Sequence, residues 1–451
     1  MSSEGARGGV GEPANRYVAR HTAGRRTART RSLASRLSLP GIGRPIAATA
    51  AFNIALTLTG ALSGIIIARS GGATLRGEYS AVTAWLGIAG LLGELGLPIA
   101  LSFYVARDPI QARQYLATAR VMMVVVGGVA LVAGVALAPV LGRGHPELTA
   151  AYRIGFGCLL LTCAGDSYTA ALMGRDLHRW NWSRLSQPLA GVAAVVVLWR
   201  LKLLNLETAI IVIAGSRLIQ LGWSYVSCRR VNLAPGPFAA RLVRPLTAYG
   251  AGQIAATVPA SVNLYLDQLV LSVTGSPANL GRYSIAVSMT LLPAPLVSAI
   301  GYVLLPRLAA RDVPAAEIGR LQRNAVLLSA GLATIMLVPL ALAATWLVPF
   351  VFGAGFLGAI PLVWILTPGG VFLSCGQVVA NLLRGRERQI DAAWAEGAAV
   401  IATLVLLATL LPLLGVTGAA IASTVPYGIS LALMLRALWR IPTPGELDEG
   451  A

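Results

Sequence analysis

Displaced by 204 residues, the chain matches itself. Gly71, Gly77, Tyr79 and Ser80 return as Gly275, Gly281, Tyr283 and Ser284, and Ala106-Arg107-Asp108 returns as Ala310-Arg311-Asp312. Gly174-Arg175 answers Gly385-Arg386 once the second half is granted a few more residues. A chain duplicated in this way builds two similar halves, and two similar halves in a membrane usually enclose a path between them. The membrane follows from composition: 56% hydrophobic and 12% charged residues, with a mean hydropathy of +0.71, are far outside the range of a soluble domain.

A helix needs about 20 apolar residues to cross a hydrocarbon core. Twelve stretches meet that length, near 46–68, 80–104, 118–142, 152–173, 185–201, 206–228, 247–273, 283–305, 324–350, 358–383, 391–414 and 417–438. The expected fold is an all-α polytopic membrane protein of about 12 transmembrane helices in two six-helix bundles. Six crossings separate equivalent positions, so the repeats are parallel, related by an axis along the membrane normal. The expected organisation is a basic cytoplasmic tail over 1–44, a first bundle over 45–228, a cytoplasmic linker over 229–246 with Pro235-Gly236-Pro237, a second bundle over 247–440 and a short tail over 441–451. Most of the 36 Lys and Arg fall in the N-terminal segment, the even-numbered connections and the C-terminal tail, which places both termini in the cytoplasm of a multi-pass cell-membrane protein. The net charge of +18 is thereby a topology signal, and nucleic acid is not an expected partner.

Polar residues inside the spans are the candidates for function. Thr49, Asn53, Thr57, Gly60 and Gly64 share one face of the first span. Gln253, Thr257, Ser261, Asn263, Asp267 and Gln268 line one side of the seventh, and the repeat maps Thr49 onto Gln253, Asn53 onto Thr257 and Thr57 onto Ser261. Small and hydroxyl residues also serve helix packing in lipid, so the Thr and Ser positions have that simpler reading as well. Asn53, Thr57, Arg217, Gln253, Thr257, Ser261 and Asp267 are the cavity candidates for substrate binding. A charge at a helix centre costs on the order of 2.5–3.5 kcal/mol, so each one needs a partner, water or substrate. Glu94 and Asp166 are therefore candidates either for ion coupling or for a structural pair with Arg217, with Glu396 and Asp391 behind them.

Enzymatic chemistry has no visible seat. Cys158, Cys163, Cys228 and Cys375 fall in or at the ends of apolar spans without metal-ligand spacing, and His21, His145 and His178 are scattered. No metal site, cofactor or phosphate-binding loop of the ATPase type is expected.

The run Ala68-Arg69-Ser70-Gly71-Gly72 through Gly77-Glu78-Tyr79-Ser80 to Leu95-Gly96-Leu97-Pro98 resembles the first two helices of bacterial polysaccharide flippases. Asp267-Gln268-Leu269-Val270-Leu271 with Gly281-Arg282-Tyr283-Ser284, Phe352-Gly353-Ala354-Gly355-Phe356 and Gly415-Val416-Thr417-Gly418-Ala419-Ala420-Ile421-Ala422 look like the same family. The resemblance covers about residues 45 to 440 and implies the O-antigen or oligosaccharide flippases of the multidrug/oligosaccharidyl-lipid/polysaccharide exporter superfamily. It implies two bundles working by alternating access on a polyprenyl-diphosphate-linked glycan for surface polysaccharide biosynthesis. Membrane lipids are expected partners, and a polysaccharide polymerase and glycosyltransferases are further candidates. Arg217, and Arg69 or Arg282 at the cavity mouths, are the cations available for the diphosphate. Two other functions fit the same residues: an ion-coupled small-molecule or drug exporter, and a non-transporting scramblase or envelope-assembly protein.

Overall fold

A computed structural model describes residues 43–297, 315–386 and 388–440. The two tails and the end of the stretch expected over 283–305 lie outside the described residues. From Ala47 onward the described residues form one compact unit. Among the described residues it is built from helices: α1 (Gly43–Glu94), α2 (Leu97–Arg107), α3 (Ala112–Leu141), α4 (Pro146–Met173), α5 (Leu177–Arg200), α6 (Leu206–Arg230), α7 (Val243–Thr274), α8 (Pro277–Thr290), α9 (Ala315–Val351), α10 (Ile360–Gly385), α11 (Gln389–Leu414) and α12 (Val416–Trp439).

These twelve helices are not twelve clean crossings. Nine helical segments are long and apolar enough to cross a membrane among the described residues, ten if the bent α7 is one span. The long α1 breaks into two arms at Gly72, whose φ of 69° and ψ of −161° only glycine adopts easily. The expected continuous span over 80–104 is interrupted at Leu95 and Gly96, both left-handed, with Pro98 starting the new helix α2. That break leaves Glu94 at a helix end. Helix α7 bends by 54° between Ile254 and Thr257. Pro259 explains it, because its ring collides with the carbonyl four residues earlier, at Ala255. Helix α5 is long enough, but His178, Arg179, Asn181 and Arg184 occupy its first half, so it lacks the apolar character of the others.

The packing has an internal rhythm. Helix α4 packs on α3 and α6, α5 on α6, and α2 on α4; six helices later, α10 packs on α9 and α12, α11 on α12, and α8 on α10. The largest apolar core runs through both sets, from Ile67, Val82, Tyr152 and Phe156 to Tyr283, Phe356 and Ala419. The outer faces are apolar too: Val125, Val129 and Val132 on α3, Leu342 and Phe350 on α9 and Leu413 on α11 are each more than half exposed. Such surfaces are stable only against lipid.

Between the halves the backbones come very close. A methyl on Gly77 would occupy the position of Pro277 O, and a methyl on Gly281 that of Ala73 O. Pro277 lies as far beyond Ala73 as Gly281 lies beyond Gly77, so the two close approaches are made by residues at the same sequence offset. Arginines tie the same end together. Arg69 donates through Nε to Val351 O at 2.7 Å and through Nη2 to Phe350 O, satisfying carbonyls at the end of α9, and Arg143 Nη1 donates to Gly275 O at 2.6 Å. Trp85 Nε1 donates to Ser272 Oγ at 3.0 Å.

The connection before α7 is not a loose tether. Arg113 Nε donates to Ala234 O at 2.9 Å, Gly236 N to Arg113 O at 2.9 Å, and Ala239 N to Thr118 Oγ1 at 3.1 Å, which straps the Pro235-Gly236-Pro237 segment along the start of α3.

Candidate functional site

A cavity of about 540 Å³ lies between the halves. The first arm of α1 contributes Thr57, Gly60 and Gly64, its second arm Arg76, α7 Leu264, α8 Ser288 and α10 Gln377. Most of the remaining wall is Leu, Ile, Val and Met. The glycine spacing on α1 makes the room: nothing lies within 4 Å of a side chain placed at Gly60, and one placed at Gly64 would sit 3.5 Å from Arg76 Nη2. The Gly77–Gly281 contact follows Arg76 by a single residue.

Among the described residues, Arg76 is the one charged side chain in this lining. Its Nη2 donates a long hydrogen bond to Ser288 Oγ at 3.4 Å, and its guanidinium carbon stands 5.9 Å from the centroid of the Tyr79 ring. Its Nε is buried without a hydrogen-bond partner. The ion pairs among the described residues are Arg179–Asp176, Arg217–Asp166 and Arg388–Asp391, so no carboxylate neutralises Arg76. An uncompensated guanidinium in an apolar, low-dielectric cavity attracts an anion with planar or tetrahedral oxygens, which its donor fork grips through parallel hydrogen bonds. Sequence reasoning missed Arg76 because hydropathy ends one span near 68 and starts the next near 80, leaving 69–79 as a loop. The available signal was the repeat: the position equivalent to Arg76 is Leu280, so one half carries a cation where the other carries an apolar residue.

The expected candidates are distributed in three places. Thr57 reaches the cavity wall, with its hydroxyl donating to Asn53 O at 3.0 Å. Lower on the same face, Thr49 and Asn53 turn to α5: Asn181 Nδ2 donates to Thr49 Oγ1 at 3.0 Å and Arg184 Nη2 to Asn53 Oδ1 at 3.1 Å. Gln253, Thr257 and Ser261 are half-buried on α7 and are not among the residues lining this cavity. The Thr257 hydroxyl donates to Gln253 O at 2.8 Å.

Asp267 points into the second half. It is 3% exposed and accepts from the Tyr283 hydroxyl, from Ser423 Oγ at 2.8 Å and from the Gln268 amide at 2.6 Å, joining α7, α8 and α12. Thr403 on α11 donates to Asn263 Oδ1 at 2.7 Å one turn earlier. Arg69 and Arg282 are both engaged by carbonyls, Arg282 through Nε to Gly355 O at 3.2 Å.

Glu94, Asp166 and Arg217 meet inside the first half. Arg217 Nη1 stands 3.7 Å from Asp166 Oδ2 and donates to Gln220 Oε1 at 2.9 Å, and Gln220 Nε2 donates to Asp166 Oδ1 at 2.9 Å. Glu94 lies beside Asp166 and Arg217 in the same cluster. Thr169, Ser183 and Ser224 continue the network across α4, α5 and α6. Replacing Arg217 with Gln leaves Asp166 without its counter-charge in a half-buried site. The expected cost is about 2 kcal/mol, read as a lower midpoint of thermal unfolding and a lower membrane yield. An Arg217→Gln protein with unchanged midpoint would remove the structural role.

The sequence matches the family described as polysaccharide biosynthesis protein over residues 42–312. A search of the curated proteins gives no match. Among solved structures, the lipid II flippase MurJ in an inward closed conformation is similar with a TM-score of 0.72 at 13% identity, covering 87% of this chain and 88% of that one. An inward-facing multidrug resistance MATE family transporter of the MOP superfamily gives 0.70 at 14% identity, covering 88% and 96%. An outward-facing structure of such a transporter gives 0.65 at 13% identity, covering 90% and 96%. The fold is the one these flippase and transporter structures have. With more than half its length matched, the chain belongs to the polysaccharide biosynthesis protein family, as a multi-pass membrane protein on the fold shared by MurJ and the MATE transporters.

Proposed function

We propose that this protein translocates a polyprenyl-diphosphate-linked oligosaccharide across the cytoplasmic membrane by alternating access, for surface polysaccharide biosynthesis. The observation that carries the reading is Arg76, a guanidinium without a carboxylate partner among the described residues, in the cavity between the halves. A diphosphate supplies the missing charge. Ser288, Thr57 and Gln377 offer hydrogen bonds beside it, and the mainly apolar wall suits the first isoprenoid units of a lipid-linked substrate. Of the residues anticipated from the sequence, Thr57 is assigned to the cavity in this reading. Asn53 supports the wall through Arg184, and Asp267 and the Asp166–Arg217 cluster hold their respective halves rigid. Basic residues at one end and the Gly77–Gly281 contact at the other support a cavity reached from the cytoplasmic leaflet and sealed outside.

The apolar lining also suits an amphipathic drug, which is the second reading. A lone Arg76 repels the cationic compounds that such an exporter selects. Depletion in cells separates the two. The flippase reading expects lipid-linked glycans to accumulate on the cytoplasmic leaflet while their synthesis continues. The exporter reading expects that pool to be unchanged and the sensitivity to amphipathic compounds to rise. Glycans that still reach the outer leaflet at the normal rate, in cells lacking a second flippase, would contradict the proposal.

A further inference from the structure

A second recess lies on the outer wall of the first half. Helices α3 and α6 both pack on α4, and between them they leave a groove of about 580 Å³. Ala164 and Tyr168 of α4 form its floor, Val121 and Val125 of α3 one wall, and Gly222 and Tyr225 of α6 the other. It is apolar along its length. Val125 is 60% exposed, and a side chain placed at Gly222 would meet nothing within 4 Å, so the missing side chain widens the groove rather than serving a close helix contact.

One end of this groove is cationic. Arg120 sits eight residues inside α3, about 12 Å from its start, and Tyr168 and Tyr225 sit five residues, about 8 Å, from the ends of α4 and α6. All three therefore lie toward the same end of their helices, in the outer part of the hydrocarbon layer rather than in mid-bilayer, where a long arginine side chain reaches up to the lipid phosphates. Arg120 Nη1 donates to the Tyr168 hydroxyl at 2.5 Å, and its guanidinium lies 5.7 Å from that ring centroid. The Tyr225 ring packs edge-on against Tyr168 at 5.6 Å, and Arg229 stands 5.9 Å from the Tyr225 centroid. None of the ion pairs among the described residues involves Arg120 or Arg229. A neutral hydroxyl fixes one nitrogen of Arg120 and leaves the rest of its donor fork for phosphate oxygens.

We propose that this groove is a binding site for one anionic phospholipid of the surrounding membrane, with its phosphate on Arg120 and one acyl chain along Val121, Val125 and Gly222. The occupant is a resident lipid and not the transported one, because the groove shares no lining residue with the Arg76 cavity. The site is independent of what the protein transports. Its consequence is mechanical. Helices α4 and α6, which the lipid bridges, also carry Asp166 and Gln220–Arg217, so an occupied groove braces the helix pair that holds this polar cluster together.

The test uses the purified full chain in detergent, titrated with dioleoyl phosphatidylglycerol or dioleoyl phosphatidylcholine and read by native mass spectrometry. The wild type is expected to retain one phosphatidylglycerol with about tenfold preference over phosphatidylcholine. Arg120→Gln should abolish the preference and Arg120→Lys should keep most of it. Gly222→Leu, which fills open space without a clash, should lower binding of both lipids about tenfold. Equal binding of the two lipids by the wild type would overturn the proposal, as would an undiminished preference in Arg120→Gln together with undiminished binding in Gly222→Leu. One-for-one displacement of phosphatidylglycerol by an equal amount of a polyprenyl phosphate would overturn the assignment to a membrane lipid.

Discussion

Arg76→Gln is expected to abolish most transport, by at least about tenfold, while the protein reaches the membrane at normal abundance. The magnitude follows from losing charge-assisted hydrogen bonds to an anion in a desolvated site, worth about 1.5–3 kcal/mol. The sparing of stability follows from the absence of a counter-charge among the described residues: removing a cation that none of their carboxylates neutralises leaves no charge unpaired behind, so the thermal midpoint should stay or rise. Arg76→Lys keeps the charge but loses the planar fork, and intermediate transport is expected. The contrast with Arg217 is the useful part. Arg217→Gln should cost stability, because Asp166 and Gln220 depend on it. An Arg76→Gln protein that unfolds would show that Arg76 is a structural residue, and one that transports normally would remove it from the site.

The second large effect is expected at the glycine contact. Gly77→Ala or Gly281→Ala places a methyl where a carbonyl oxygen of the other half now sits, and no side chain is present there to move aside. Overpacking of this kind costs about 1–3 kcal/mol, and helices α1 and α8 relieve it by separating. The separated state is the one in which the cavity opens at that end. A bias of about 2 kcal/mol moves such an equilibrium roughly 30-fold. The check is a cysteine at Ser288 in a background whose four buried native cysteines are replaced. An impermeant thiol reagent applied from the Gly77 side should label it at least about tenfold faster in the alanine variants, with transport reduced. Unchanged labelling in both variants would mean that this contact is not the seal.

The all-helical membrane architecture was legible because hydropathy is written in local residue order. The two glycines that the 204-residue offset pairs in the sequence, Gly77 and Gly281, are also close neighbours in space. Breaks in the helices were less legible. A run such as Ser70-Gly71-Gly72-Ala73 reads as a loop, yet the chain turns only at Gly72 and is helical on both sides, which carries Arg76 into the bundle. Leu95-Gly96-Leu97-Pro98 could be quoted as a motif, but nothing local said that two consecutive left-handed residues would divide the expected span. The polar stripes show the deepest limit. Thr57 and Asn53 lie one turn apart on one face, and still one meets the cavity while the other meets Arg184, because the partner of a polar side chain is chosen by the helix packed opposite it.

The central claim is that the cavity built around Arg76 carries the diphosphate of a lipid-linked glycan from one leaflet to the other. The direct measurement is reconstitution of the full chain into sealed liposomes with a defined polyprenyl-diphosphate oligosaccharide on one side, followed by the appearance of the sugar at the opposite face under an imposed ion gradient or membrane potential. The account predicts protein-dependent appearance that falls at least about tenfold with Arg76→Gln and is competed by the unlabelled lipid-linked glycan. Appearance at the rate of protein-free liposomes, or at the same rate in wild type and Arg76→Gln, would contradict it.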